Sequence, residues 1–173
     1  LARWDSGDRR FHVTDNASSG ADVLHDATVR CLLFDRVGNL WVGTGNGLQF
    51  HRAGSARFER VASQPEVTGS LDRNYVYALF QASDGRIWIG TQMQGAAVLD
   101  PASGQLTHFQ SESNRTSHPW VSGFAEPIPG RIWVHTYGGG IDVVDAASNL
   151  IVERIRSDLS VPGGLTLDRL TAP

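Results

Sequence analysis

Gly38-Asn39-Leu40-Trp41-Val42-Gly43-Thr44 decides how this chain is read, because the pattern is written three times. It returns as Gly85-Arg86-Ile87-Trp88-Ile89-Gly90-Thr91 and as Gly130-Arg131-Ile132-Trp133-Val134-His135-Thr136, with the tryptophans 47 and then 45 residues apart. Twelve residues before each tryptophan stands a valine (Val29, Val76, Val121) that opens an apolar run, and two places further on the residue is small: Cys31, Ala78, Gly123. A glycine follows each tryptophan by six or seven residues (Gly47, Gly95, Gly140) and leads into another β-forming stretch, such as Ala96-Ala97-Val98-Leu99. A turn comes next, clearest at Asp100-Pro101-Ala102-Ser103-Gly104, where proline presets φ and glycine supplies positive φ. The unit ends on a last short strand at 57–61, 106–109 or 150–155.

Each period therefore holds four short strands joined by tight turns. A lone four-stranded sheet has two faces to cover and covers them by stacking on its neighbours, which is the logic of a propeller blade. One large ring per repeat, Trp41, Trp88 and Trp133, suits the packing of blade on blade. Gly38, Gly85 and Gly130 start the strand after its turn, and the small residues on the first strand suit a hub where inner strands crowd a central channel. The expected fold class is all-β: a β-propeller fragment of about three four-stranded antiparallel blades with partial blades at both ends.

The whole of 1–173 reads as part of one propeller domain, with blades at 29–61, 76–110 and 121–156. Residues 1–13 read as the outer strands of a preceding blade, since Leu1 to Phe11 matches Leu48 to Phe58; 170–173 read as the start of the next, since Leu170-Thr171-Ala172 aligns with Val76-Tyr77-Ala78. Propellers close with roughly four to eight blades. Three blades make an arc, completed by further blades or by separate chains, and uncovered blade faces are surfaces for self-association.

Composition narrows the function. Formal charge is −3, so there is no basic surplus to attract phosphates or anionic lipid, and neither nucleic-acid binding nor direct membrane contact is expected. All fifteen cationic residues are arginine, and a single cysteine, Cys31, excludes an intrachain disulfide framework or a multi-cysteine zinc site. No apolar run approaches the roughly 18 residues that span a bilayer.

The stretch Asp35-Arg36-Val37-Gly38-Asn39-Leu40-Trp41-Val42-Gly43-Thr44-Gly45-Asn46-Gly47-Leu48 closely resembles the two-component regulator propeller repeat, a run V-x-x-L followed by D-x-x-G-x-L-W-I-G-T-x-x-G-L. The second copy departs from it with Ala82 at the aspartate position; the third has Pro127 there, and His135 where the others have glycine. The resemblance implies the periplasmic ectodomain of a bacterial inner-membrane receptor whose output is a histidine kinase or a diguanylate cyclase. This segment would then detect a ligand or mediate dimerisation, and would itself catalyse nothing.

Binding is expected at the channel mouth, where loops between second and third strands meet the approaches to first strands. Asn46, Arg73, Tyr75, Gln92, Gln94, His118, Trp120 and Tyr137 fall there, an amide, aromatic and cationic set suited to a small molecule or glycan. Trp120 lies outside the repeated tryptophan position and reads either as a ligand platform or as a plug against the neighbouring blade. His135 reads as a cavity filler. The other histidines share no phase with the repeat, so no metal site is argued and no cofactor is expected. Structural or interaction propeller is the alternative function, and a propeller enzyme such as a lyase the remaining one.

Overall fold

The computed structural model describes residues 2–5, 10–13, 24, 26–55, 57–61, 71 and 74–156. The blade start expected at 170–173 and Arg73 lie outside the described residues. Every described element is a strand, and three four-stranded antiparallel sheets account for most of them. The first is β3 (Val29–Phe34), β4 (Leu40–Thr44), β5 (Gly47–His51) and β6 (Phe58–Arg60). The second is β7 (Val76–Gln81), β8 (Ile87–Thr91), β9 (Ala96–Leu99) and β10 (Leu106–His108). The third is β11 (Val121–Ile128), β12 (Arg131–Thr136), β13 (Gly140–Asp145) and β14 (Leu150–Ile155). Upstream, β1 (Ala2–Asp5) pairs antiparallel with β2 (Arg10–Val13).

The sheets stack through their first strands, β3 beside β7 and β7 beside β11. Alternation along β8 explains how one sheet serves two seams. Ile87 and Ile89 face the first sheet, in a cluster with Trp41, Leu48 and Val76, whereas Trp88 faces the third, with Phe109, Val121, Ile132 and Val134. Trp41 and Trp88 are buried, and each stacks on an aromatic ring of its own sheet, Phe50 at 5.1 Å and Phe109 at 5.4 Å. Trp133 is half-buried.

The small residues on the first strands answer to crowding by the first strand of the next sheet. Cys31 pairs with Gly43, Ala78 with Gly90, and Gly123 with His135. A Cβ on Gly43 or Gly90 would lie 2.8 Å from the Cγ1 of Val76 or Val121 in the next sheet. The cross-strand pair must therefore stay thin beneath the valine that follows. In the third sheet the imidazole of His135 sits opposite a glycine, so volume is exchanged within the pair. Burial outweighs a backbone hydrogen bond from Gly43 and pushes the Cys31 thiol up to about 12.

The turn before each tryptophan strand varies in a way that matters. Asp35 Oδ1 accepts from Val37 N–H and Asn39 N–H, at 3.1 and 2.8 Å, and Oδ2 accepts from Asn39 Nδ2 and Trp41 Nε1, at 2.8 and 2.9 Å. Ala82 holds the equivalent place in the second sheet, and there the buried Trp88 Nε1 has no hydrogen-bond partner. In the third, β11 runs through Pro127 to Ile128 and turns at Pro129-Gly130. Proline is tolerated because β11 hydrogen-bonds to β12 alone within its sheet.

The same turns latch one sheet to the next. Arg36 N–H donates to Gln81 Oε1 at 2.9 Å, and one repeat later Ser83 N–H donates to Glu126 Oε2 at 2.6 Å. Glu126 also accepts from Ser83 Oγ and Gly130 N–H, at 2.6 and 2.7 Å. Phe34 occupies this position in the first sheet, cannot accept, and is 70% exposed. Glu126→Ala should lower unfolding free energy by about 1–3 kcal/mol, read as a shifted urea midpoint with unchanged slope.

Candidate ligand-binding rim

At one end of the stack the same hydrogen bond recurs in every sheet. Gly45 N–H donates to Thr28 carbonyl at 2.9 Å, Gln92 N–H to Tyr75 carbonyl at 3.0 Å, and Tyr137 N–H to Trp120 carbonyl at 2.9 Å. It ties the loop between second and third strands to the approach to the first, so both sets of residues stand on one rim. The loop itself is held by the motif threonine: Thr44, Thr91 and Thr136 are buried and donate to the carbonyls of Gly47, Gly95 and Gly140 at 2.9–3.0 Å.

A row of rings crosses this rim. The Arg30 guanidinium lies 5.5 Å from the centroids of both Tyr75 and Tyr77, reaching from the first sheet to the second. Tyr77 tilts against Trp120 at 5.4 Å, crossing to the third sheet, and Trp120 stacks on Tyr137 at 4.6 Å with 25° between planes. His118 meets Tyr137 edge-on at 6.3 Å. The His118 Nδ1 accepts from Trp120 N–H at 3.1 Å, leaving Nε2 to carry the proton of the neutral ring. Trp120 Nε1 is buried with no hydrogen-bond partner, a cost that native folds keep rare.

Of the residues expected from sequence, Tyr75, His118, Trp120 and Tyr137 come together in this row. Trp120 packs against Tyr77 of the second sheet and stacks on Tyr137 of the third, the contact that the plug reading describes. Asn46 and Gln92 stand on the same rim in the first and second sheets, their backbone N–H groups bonded to Thr44 Oγ1 and Tyr75 carbonyl. Gln94 lines a separate cleft. Arg30 and Tyr77 were missed because both lie inside apolar strand runs. Their signal is phase: Arg30 and Tyr77 share one repeat position, and Tyr75 and Trp120 another.

Burial pushes His135 and His108 below the usual imidazole range. Among the described residues no three His, Cys, Asp or Glu side chains could together hold a metal ion.

No curated protein matches the chain in sequence. Among solved structures it is similar to the extracellular domain of BT4673 from B. thetaiotaomicron, described as a hybrid two component system, at 19% identity and TM-score 0.75, over 98% of this chain and 21% of that one. It is similar also to that of BT3049 from the same organism, at 20% identity and TM-score 0.68, over 82% and 20% of the two chains. Virginiamycin B lyase from Staphylococcus aureus shares the fold at 14% identity and TM-score 0.56, over 82% and 44%. The chain thus spans about a fifth of the length of the two extracellular domains, and the likeness is one of fold. The family model described as two component regulator propeller matches residues 24–46 and 70–93, which run through the Trp41 and Trp88 turns. With three stacked four-stranded sheets the chain has the fold of a β-propeller segment, and its first two blades carry the stretches that match the two component regulator propeller model.

Proposed function

We propose that this segment senses a ligand for a membrane-bound bacterial receptor of the histidine kinase or diguanylate cyclase type, outside the cytoplasm in the periplasm, and that it binds without catalysing. The observation that carries the reading is the aromatic row Tyr75–Tyr77–Trp120–Tyr137, flanked by Arg30 and His118 and crossing two seams at the loop end of the stack. Stacked ring faces with a guanidinium beside them suit the flat apolar face of a sugar ring or a comparable small molecule. The family's name and the extracellular domains that share this fold support the receptor setting and the location.

In the full-length protein, a panel of oligosaccharides and small metabolites screened by calorimetry should yield a binder. Trp120→Ala or Tyr137→Ala should weaken it roughly tenfold, since each removes a stacking face of ~1.5 kcal/mol. Unchanged affinity in both variants would end the reading.

A second reading, a propeller contact between protein chains, would use the side of the first sheet on which a preceding blade otherwise stacks, where Leu32 is 52%, Phe34 70% and Val37 74% exposed among the described residues. The equivalents of Leu32, which are Leu79 and Phe124, pack into the seams. Sedimentation that shows association lost on Phe34→Glu would favour it.

A further inference from the structure

Asp142 is a fully buried carboxylate in the middle of β13, at the place that Gln49 holds in β5 and Ala97 in β9. Alanine serves the second sheet there, so the blade itself does not call for a charge, and burying one is costly unless it is answered. The answer comes from the connection between β10 and β11. Ser117 N–H donates to Asp142 Oδ2 at 2.5 Å, and Ser117 Oγ donates to Oδ1. Arg154, paired with Asp142 across β14, lies 3.7 Å from Oδ1 and closes a clasp: its Nη1 donates to Ser117 Oγ at 2.8 Å and its Nη2 to the Arg115 carbonyl at 3.0 Å. Arg156 Nη2 reaches the same hydroxyl at 3.4 Å.

What the clasp holds is the foot of the aromatic row, because the connection runs from Ser117 straight into His118 and Trp120. Thr116, itself buried, donates from Oγ1 to the His118 carbonyl at 2.9 Å. Gly95 N–H of the second sheet donates to the Pro119 carbonyl at 2.8 Å, and Tyr137 N–H of the third to the Trp120 carbonyl at 2.9 Å. Ser117 is also seated against the loop that carries Tyr137, where a Cβ on Gly139 would come 2.9 Å from its own Cβ. The backbone bond at Tyr137 recurs in all three sheets, but only the third of them sets a carboxylate at this strand position.

We propose that Asp142 is a positioning residue of the binding rim: by fixing Ser117 it holds His118 and Trp120 against Tyr137 before a ligand arrives, so that binding does not have to order the row. This rests on the aromatic reading of the rim. Asp142 acts through Ser117, since its own side chain does not reach the surface.

Hydrogen exchange in the full-length protein, followed by mass spectrometry, reads the place of the connection from the amides bonded to it. Asp142→Ala should speed exchange of the Tyr137 and Gly95 amides about tenfold. Gly45 and Gly47, which donate to the Thr28 and Asn74 carbonyls as the equivalent bonds of the first sheet, should keep their rates. Ser117→Ala should act in the same direction, and Asp142→Asn, which keeps an acceptor for Ser117 N–H, should recover most of the original rate. The oligosaccharide or metabolite that binds in the calorimetric panel should lose about tenfold in affinity on Asp142→Ala and regain it on Asp142→Asn. Unchanged exchange at Tyr137 and Gly95, an equal rise at Gly45 and Gly47, or selective exchange with unchanged affinity for that compound would overturn the proposal. If Trp120→Ala and Tyr137→Ala leave the affinity unchanged, the aromatic reading falls by itself, and amide exchange still decides whether Asp142 sets the connection.

Discussion

Gly90→Val should destabilise the protein by about 3 kcal/mol, among the largest effects expected of any single replacement. The cause is steric alone. A Cβ at this position would stand 2.8 Å from Val121 Cγ1, 3.0 Å from the Val121 carbonyl oxygen and 3.1 Å from Ala78 Cβ, and a backbone oxygen of the next sheet cannot rotate away. Gly90→Ala should cost less but follow the same logic. Val121→Ala, which removes Cγ1, should cost about 1–2 kcal/mol alone and yet relieve part of the Gly90→Ala penalty. A double-mutant cycle by urea denaturation measures that coupling. Strict additivity would mean that the seam is looser than its geometry.

Asp35→Ala should cost about 2–4 kcal/mol, because four donors lose their acceptor and one of them, Trp41 Nε1, is left in a buried seam. Burial pushes the Asp35 carboxyl upward, but hydrogen bonds from Trp41, Asn39 and Val37 outweigh it and hold the group below the usual carboxylate range. The folded form thus prefers the ionised carboxylate more than the unfolded chain does. Its contribution is complete above the unfolded value, near 4, and is lost as pH falls through the lower folded value. Asp35→Asn should flatten the acid limb of the stability profile below about pH 4 while leaving a milder loss at neutral pH. An unchanged acid limb would show that the carboxylate is not what ties the turn to the tryptophan.

Blade number, strand order and the seam role of Trp41 and Trp88 could all be read from the chain, since they rest on a period that repeats identity as well as polarity. Pairing was harder. Cys31, Ala78 and Gly123 stand out as small, and His135 as an exception, but only the register of β11 on β12 shows the last two to be one compensated pair. The rim was half legible. Loop residues such as Tyr75 and Tyr137 announce themselves by position, whereas Tyr77 looks like any strand aromatic until β7 and β11 are laid side by side. The clasp of Arg154 on the β10–β11 connection was not legible at all, because Arg154 on β14 lies far along the chain from the Arg115 carbonyl and the Ser117 hydroxyl to which it donates.

β8 and β9 of the middle sheet turn both faces inward, every residue buried. These two strands have no free side on which to absorb a displacement. Tilting the sheet moves Ile87 and Ile89 against one neighbour and Trp88 against the other together, and shifts Tyr77 beneath Trp120 at the rim. The middle blade is therefore the fulcrum of the arc: a load applied at the row of rings is felt in both seams at once, and neither can yield without the other.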